Sequence, residues 1–246
     1  ENVVFEVKLY DGTYNTANEC PANMLKKTWY LKSDTKGKII FDNTYLARDY
    51  HISDSFYKDK NDDIVIPKGC TLTMQEKKTP STYVLDDSIM FWKTGETKTI
   101  EVKKFYNQVA PCKIKIRKLS DDGKPLQGVE FELKFVKESE SYTSDADKSY
   151  IPLLKQGETT KATTDANGYI VWQNLDQGEY QITETKTISG NTLLKDPINI
   201  TLPITMTDKQ AKDMSAATDN GQFDDYTNKW YFYEATFEVT NSVKFI

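Results

Sequence analysis

Three polar residues, Lys118, Glu184 and Asn241, each end a short segment whose preceding alternate positions are apolar. Side chains alternate between the two faces of a β-strand, so residues two positions apart share a face. The apolar residues on these faces are Ile114 and Ile116 before the lysine, Tyr180 and Ile182 before the glutamate, and Phe237 and Val239 before the asparagine. This alternation predicts that an amine, an acid and a carboxamide meet inside an apolar core.

Burial changes the chemistry of these three groups. A low dielectric disfavours the charged forms of lysine and glutamate, which leaves the amine its lone pair and the acid its proton. The amine of Lys118 can then attack Cγ of Asn241 while Glu184 binds the carboxamide oxygen and moves the proton, and ammonia leaves. The alternative is a buried ion pair with the asparagine as a hydrogen-bond partner, an arrangement that contributes little net stability.

Four motifs follow one another in the second half of the chain. They are Asp121-Asp122-Gly123-Lys124-Pro125-Leu126-Gln127-Gly128-Val129-Glu130-Phe131-Glu132-Leu133, Thr164-Asp165-Ala166-Asn167-Gly168-Tyr169-Ile170, Gly178 to Lys186, and Glu238-Val239-Thr240-Asn241. Across Lys113 to Val243, this order resembles the collagen-adhesin B-type (Cna-B) domain of Gram-positive stalks and pilus shafts. The resemblance implies a prealbumin-like β-sandwich in which Lys118 of the first strand condenses with Asn241 of the last, with Glu184 assisting.

The first half of the chain repeats this organisation more faintly. The segment from Ser33 to Phe41 parallels the Asn167-Gly168 turn and the strand after it, and Ile66 to Glu76 parallels the segment that ends at Glu184. A repeat of this length predicts two tandem domains, residues 1–110 and 111–246. We therefore expect an all-β protein with two Cna-B-like or prealbumin-like (Ig-like) sandwiches, joined by a short linker.

A second cross-linking site is predicted in the first domain. Glu76 shares its face with three apolar residues, and it follows Lys8 by 68 positions, close to the 66 between Lys118 and Glu184. With Asn107 at the end of the closing strand, the predicted pairs are Lys8 with Asn107 and Lys118 with Asn241. The faces that contain Lys8 and Asn107 are not cleanly apolar, so a β-bulge would have to correct the register there.

Two insertions distinguish the second domain. Lys137 to Lys161 is expected to be a long exposed loop, and Thr207 to Met214 a short helix with Thr207 as its N-cap, followed by a polar loop from Asn220 to Lys229. Long loops on a rigid scaffold often bind ligands. An adhesive module that binds a host matrix protein or a glycan through these insertions is therefore the alternative function.

Charge and composition exclude several other classes. The 32 basic residues are scattered among 37 acidic ones, which argues against a nucleic acid or an anionic membrane as the partner. With one histidine, His51, and no Cys-x-x-Cys pair, neither a metal nor a cofactor is expected. Three cysteines leave one unpaired, and a disulfide from Cys20 to Cys70 or to Cys112 stays open.

The function predicted from these features is that of a structural stalk or pilin segment of a cell-wall-anchored, extracellular surface protein. Its partners would be other pilin or adhesin domains of the same protein, and its only catalysis would be its own cross-linking. No apolar run approaches the ~20 residues that cross a bilayer, so any anchor is expected beyond Ile246. Val65-Ile66-Pro67-Lys68 resembles the end of a pilin polymerisation motif, but the upstream tryptophan pattern of that motif is missing, so the turn that must precede the Glu76 strand is the favoured interpretation.

Overall fold

The chain consists of two compact units, Glu1–Asn107 (unit 1) and Gln108–Ile246 (unit 2). The structure is a computed structural model that describes residues 2–95, 105–140, 148–214, 221–224, 227–240 and 243–245. Nearly all of the regular structure in these ranges is β-strand, which confirms the predicted all-β class. A single α-helix is present among the described residues.

Unit 1 is built around one antiparallel sheet. Its four strands lie in the order β2-β1-β5-β6, and β3 and β4 form a separate hairpin. The strands are β1 (Val4–Asp11), β2 (Leu25–Lys32), β3 (Tyr57–Lys58), β4 (Ile64–Val65), β5 (Cys70–Lys78) and β6 (Ile89–Lys93), with single 3-10 turns at Ala17–Glu19, Ala22–Met24 and Asn43–Tyr45.

The core of unit 1 lies on one face of this sheet. Alternate residues of β1 point into it, and Phe5, Val7 and Leu9 are all buried. The neighbouring strands supply Trp29 and Leu31 from β2 and Leu72 and Met74 from β5. This period-two burial fixes which face of β1 each side chain occupies, because a strand cannot turn single residues over without a bulge.

Unit 2 contains two larger sheets, one with strand order β10-β7-β16-β17 and one with β12-β11-β8-β9, and a three-stranded sheet, β13-β15-β14. The strands are β7 (Cys112–Lys118), β8 (Glu130–Glu138), β9 (Thr159–Thr163), β10 (Tyr169–Leu175), β11 (Gly178–Lys186), β12 (Ile198–Leu202), β13 (Ile204–Thr207), β14 (Gly221–Asp224), β15 (Lys229–Phe232), β16 (Glu234–Val239) and β17 (Val243–Phe245).

The two larger sheets of unit 2 share one hydrophobic core, as in a β-sandwich. Ile114 and Ile116 on β7 are fully buried in the same cluster as Tyr180 and Ile182 on β11. Strands β7 and β16 run parallel, so the first and last long strands of the unit lie side by side with Val239 opposite Lys118. The predicted inward faces of these strands are confirmed.

The predicted short helix is present as α1 (Asp208–Asp213). Thr207 is its N-cap and forms a reciprocal capping box with Gln210, whose backbone N–H donates to the Thr207 hydroxyl. Ala211 packs with Met206 and Phe232 beneath the helix. In the described part of the chain, no helix combines the length and apolar character needed to span a membrane.

The described part of the first insertion is anchored to the sandwich rather than fully exposed. Asp176 accepts hydrogen bonds from Lys148 Nζ at 2.7 Å and from the Tyr150 hydroxyl at 2.8 Å. Leu154 is buried in the core of unit 2, whereas the neighbouring Ile151 is 88% exposed. The expectation of a wholly exposed loop is therefore wrong for this part of the insertion.

Candidate cross-linking sites

The core of unit 2 holds an amine and a carboxyl group that are both shielded from water. The side chains of Lys118 and Glu184 are 3% and 0% exposed, and Lys118 Nζ lies 3.7 Å from Glu184 Oε2. Lys118 reaches this position because it continues the inward face of β7, and Glu184 because it continues that of β11. The predicted meeting of these two residues is observed.

Each partner of this pair has a second contact. Lys118 Nζ donates a hydrogen bond of 2.7 Å to the Thr240 backbone carbonyl, and Glu184 Oε2 accepts one of 3.1 Å from the Leu194 backbone N–H. Glu184 Oε1 is buried without a hydrogen-bond partner. Asn241, the third predicted member, lies outside the described residues, so its place in the site stays a prediction.

Unit 1 holds a different pair. Glu76 is only 1% exposed, and its Oε1 accepts a hydrogen bond of 3.0 Å from the Asn107 carboxamide nitrogen. The same nitrogen donates to the Thr79 hydroxyl at 2.9 Å. Glu76 Oε2 is buried and has no hydrogen-bond partner. The acid and the amide predicted for this site are therefore in contact, and Thr79 is a member that the sequence pattern did not suggest.

Burial raises the pKa of Glu76 from its ordinary 4.5 to about 7, and the hydrogen bonds from Asn107 and Thr79 oppose this rise. Removing a carboxylate from water disfavours its charged form, and no cation among the described residues lowers the pKa of Glu76 to offset the cost. Near neutral pH, the group holds its proton part of the time. It can then both accept and donate a hydrogen bond, as an acid that assists attack on a carboxamide must.

Lys8 does not join this pair, which corrects the prediction for unit 1. Its Nζ forms an ion pair of 2.9 Å with Glu6 Oε1 on the outer face of β1. The side chain opposite Glu76 on β1 is Phe5, while Lys8 lies opposite Thr73. The register irregularities of β1 occur between Val4 and Phe5 and between Leu9 and Tyr10, and so neither turns Lys8 towards the core.

The reason for the error is that β1 corresponds to β8 and not to β7. In unit 1, β1 lies between β2 and β5, just as β8 lies between β9 and β11 in unit 2. Phe5 pairs with Glu76 as Phe131 pairs with Glu184. A sequence signal for this existed, since Phe5-Glu6-Val7-Lys8 matches Phe131-Glu132-Leu133-Lys134. The similar separations of the two Lys-Glu pairs are therefore coincidental.

The remaining candidate residues, the cysteines, His51 and Lys68, lie outside the two pairs described above. All three cysteines are free thiols; Cys70 and Cys112 are buried and Cys20 is partly exposed. His51 is exposed and packs against the rings of Tyr30 and Tyr50. Lys68 lies in the turn before β5.

The fold of unit 2 agrees with a known family. Residues 112–218 match a family model described as the SpaA prealbumin-like fold domain. This range begins at the first residue of β7 and includes Lys118 and Glu184. The resemblance inferred from the sequence motifs is thus confirmed at the level of the prealbumin-like fold. Among curated proteins, no sequence matches the chain closely enough to count as a relative.

Three solved structures, two of them pilins, are similar to this chain at low sequence identity. The Bacillus anthracis TIE protein is 20% identical over 81% of this chain and 28% of its own, with a TM-score of 0.41. The full-length major pilin SpaD from Corynebacterium diphtheriae is 20% identical over 52% of this chain and 29% of its own, with a TM-score of 0.35. GBS52, the minor pilin of Streptococcus agalactiae, is 16% identical over 100% of this chain and 84% of its own, with a TM-score of 0.29. The chain therefore spans less than a third of the first two proteins.

Proposed function

We propose that unit 2 joins Lys118 to Asn241 through an internal amide bond, with Glu184 as the acid that moves the proton. The observation that supports this most directly is the 2.7 Å hydrogen bond from Lys118 Nζ to the carbonyl of Thr240, the residue directly before Asn241. The amine is thus already held at the end of the last strand. The alternation of Phe237 and Val239 predicts the same inward face for position 241.

The parallel pairing of β7 with β16 supports this proposal. Parallel neighbours keep a constant offset, so we expect the next inward position after Val239 to follow Lys118 at the same end of the sheet. The acid comes from the opposite sheet. Because the strands hold both groups in place, the fold itself supplies the proximity that would otherwise cost entropy at the reaction step.

An ion pair alone accounts less well for this geometry. A charge-assisted N–H···O bond is typically about 2.7 to 2.9 Å long, whereas Lys118 Nζ and Glu184 Oε2 are 3.7 Å apart. Glu184 Oε1 is also left without a hydrogen-bond partner in a dry core, and an unsatisfied buried group of this kind is costly. Formation of the amide removes the basic amine of Lys118 from the core.

The consequence of such a bond is mechanical, and we propose that the chain is a structural stalk or pilin segment of an extracellular surface protein. A bond between Lys118 at the end of β7 and Asn241, two positions after β16, closes a ring through nearly all of unit 2. Force that enters at one of these strands leaves through the other without extending the sandwich, and no reductant can open the bond. Neighbouring domains of the same surface protein are the partners that this role requires.

The intact mass of the purified chain tests the bond. Amide formation lowers the mass of unit 2 by one ammonia, and a protease digest should yield the Lys118 and Asn241 peptides as one branched species. The variant Lys118→Ala should retain the ammonia and give separate peptides. Lys115→Ala is the matched control, because Lys115 lies on the outer face of the same strand, above the Tyr169 ring.

The mechanical role is tested by stretching single molecules. Under force, unit 2 of the wild-type chain should not lengthen. Lys118→Ala should release the contour length of the segment that the bond closes, which includes the 122 positions from Lys118 to Thr240. Recovery of an unmodified Asn241 peptide from the wild-type chain would contradict the cross-link. Equal extension of the two proteins would contradict the mechanical role.

A further inference from the structure

We propose that Asn167 is a modification site, an asparagine that converts to isoaspartate when β7 leaves the turn beside it and that the packed strand protects. Asn167 and Gly168 lie in the turn between β9 and β10. An asparagine that precedes glycine is the most reactive of its kind, because glycine has no Cβ to hinder attack by its backbone nitrogen on the asparagine side chain. A second Asn-Gly pair, Asn220-Gly221, begins outside the described residues.

The reaction needs water as its only co-reactant. The backbone nitrogen of Gly168 bonds to Cγ of Asn167, the Cγ–Nδ2 bond breaks, and the hydrogen of the attacking nitrogen leaves with the amine as ammonia. The product is a cyclic imide, a succinimide. Water then opens this ring at one of its carbonyl groups. Opening at the carbonyl of the original main chain leaves isoaspartate, in which the main chain runs through Cβ and Cγ and is one carbon longer.

The turn exposes the side chain that is attacked but shields the nitrogen that attacks. Asn167 is exposed, whereas Gly168 is buried. The Gly168 N–H donates a hydrogen bond of 2.9 Å to the Asp165 backbone carbonyl. This nitrogen has to lose its proton to attack, and a buried, hydrogen-bonded N–H loses it only after the turn opens. The folded turn therefore holds a reactive pair in an unreactive state.

Strand β7 is the element that keeps the turn closed. The Lys118 N–H donates a hydrogen bond of 2.7 Å to the Gly168 carbonyl, and the Leu126 N–H donates one of 3.0 Å to the Lys118 carbonyl. A Cβ atom at Gly168 would collide with that same Lys118 carbonyl. Closing the succinimide ring rotates the peptide plane between Asn167 and Gly168. The contact with β7 leaves no room for this rotation.

Unit 1 contains the same turn without a strand packed on its glycine. Asp34 accepts a hydrogen bond of 2.9 Å from the Lys36 N–H, and its backbone carbonyl accepts one of 3.0 Å from the Gly37 N–H, as Asp165 does from Gly168. Gly37 is exposed, and no described atom lies within 4 Å of a Cβ placed on it. The two turns therefore separate the effect of the turn hydrogen bonds from that of the packed strand.

The modification would act on the residue that the cross-link uses. The extra carbon of isoaspartate at position 167 moves the Gly168 carbonyl out of line with the Lys118 N–H. The strand that carries the amine then loses a backbone hydrogen bond at Lys118 itself. Conversely, a bond from Lys118 to Asn241 holds β7 in place and keeps the turn closed. This last step rests on the proposed cross-link, whereas protection by the packed strand does not.

The variant Lys36→Asn tests protection by the strand, because it places an Asn-Gly pair in the open turn of unit 1. The protein is incubated in mildly alkaline buffer, and peptide mapping follows both turns in the same sample. Deamidation at position 36 should be about tenfold or more faster than at Asn167, as expected for a site that reacts only after local opening. Lys36→Gln is the matched control and should give no product at position 36.

Equal rates at the two positions would overturn protection by β7 and assign it to the turn hydrogen bonds. The site itself is tested in Lys118→Ala, which cannot form the cross-link and unfolds fully in urea. Asn167 should deamidate readily there, and an Asn167 peptide that stays unmodified in urea would overturn the assignment of the site.

The dependence on the cross-link is measured in native buffer. Asn167 should deamidate about tenfold faster in Lys118→Ala than in the wild-type chain, while the asparagine introduced by Lys36→Asn should react equally in both backgrounds. Equal rates at Asn167 would overturn this dependence. The branched Lys118 peptide reports the cross-link separately, so a failure of the proposed function is distinguishable. That peptide is needed because a succinimide, like the cross-link, lowers the intact mass by one ammonia.

Discussion

Both units of this chain place a buried glutamate opposite a phenylalanine on the neighbouring strand, yet the two acids have different partners. Glu184 lies beside an amine, 3.7 Å from Lys118 Nζ, whereas Glu76 lies beside a carboxamide, 3.0 Å from Asn107 Nδ2. One pair of antiparallel strands is enough to bury the acid. Which group meets it depends on a third strand from the opposing sheet, and only unit 2 shows that strand among the described residues.

The surroundings of Glu76 also affect its titration. A carboxyl group that is buried without a cation keeps its proton to higher pH, and the pKa of Glu76 is raised to about 7 by desolvation. Among the described residues, Glu184 has an amine beside it and Glu76 does not. Variants that change one unit and use the other as an internal reference measure the contribution of each acid.

The largest effect is expected for Lys118→Ala. Loss of a cross-link that closes nearly the whole of unit 2 should cost about 4 to 5 kcal/mol on the chain-entropy model, and Glu184 is also left buried without its partner. Denaturant unfolding followed by the fluorescence of buried Trp172 measures the change, and the free energy of unfolding of unit 1 should stay constant. Removing one partner of a buried ion pair alone costs about 3 to 5 kcal/mol, so a loss below about 1 kcal/mol would contradict both the bond and the ion pair, and the intact mass distinguishes these two.

The second prediction concerns the pH dependence of unit 1. Because the pKa of Glu76 is raised from 4.5 to about 7, the unfolded chain releases this proton first as the pH rises. The stabilisation is fully present below pH 4.5 and is lost by about pH 7, a change on the order of 3 kcal/mol at 1.36 kcal/mol per pKa unit.

Thermal unfolding of wild type and of Glu76→Gln across this range measures the contribution. Glu76→Gln should not lose stability as the pH rises, so the difference in Tm between the two proteins should change steadily with pH. Glu6→Gln is the control, because the pKa of Glu6 is lowered despite its partial burial, chiefly by its hydrogen bond to Lys8 and by Lys77. Parallel curves for wild type and Glu76→Gln would show that the acid titrates normally.

The third prediction compares two glycines in the shared turn. Gly37 and Gly168 both have positive φ, +74° and +81°, so alanine at either costs about 1 to 2 kcal/mol in backbone strain. Gly168→Ala must also displace the Lys118 carbonyl, which adds about 1 to 3 kcal/mol as an overpacked contact. Denaturant unfolding should therefore show a larger loss for Gly168→Ala. Equal losses would mean that β7 moves aside at little cost.

The smallest effect is expected at the aspartates of the same turn. Asp34 and Asp165 each accept two solvent-exposed backbone N–H bonds, so Asp34→Ala and Asp165→Ala should each lower the denaturant midpoint only slightly, because water replaces the lost acceptor. The costs should be similar, because the hydrogen bonds do not involve the opposing strand. Denaturant midpoints measured for both variants test this, and a difference above about 1 kcal/mol would show that the two turns are not equivalent.

Much of unit 2 could be predicted from the sequence. The alternation of Ile114, Ile116 and Lys118 and that of Tyr180, Ile182 and Glu184 are sufficient to place both ionisable groups in the core. Thr207 likewise marks the start of α1. These features are local, because period-two burial and helix capping depend on residues within a few positions of one another.

The assignment of Lys8 failed for the opposite reason. Its separation from Glu76 suggested the equivalent of Lys118, but separation along the chain does not specify which strands become neighbours. Strand pairing is non-local, and a shift by one residue or one strand exchanges the core face for the solvent face. The pairing of Phe5 with Glu76 shows the true correspondence.

The sequence by itself determined that the chain is all-β, that Lys118, Glu184 and Glu76 point inwards, and that a short helix follows Thr207. Only the tertiary structure decided which of these groups meet. In the structure, Lys118 Nζ lies 3.7 Å from Glu184 Oε2. The Asn107 carboxamide nitrogen donates a hydrogen bond to Glu76 Oε1, and Lys8 forms an ion pair with Glu6 on the outer face of β1. The physical reason is that the face of a strand is fixed by its own alternation, whereas contact across a sandwich depends on the order of strands in both sheets.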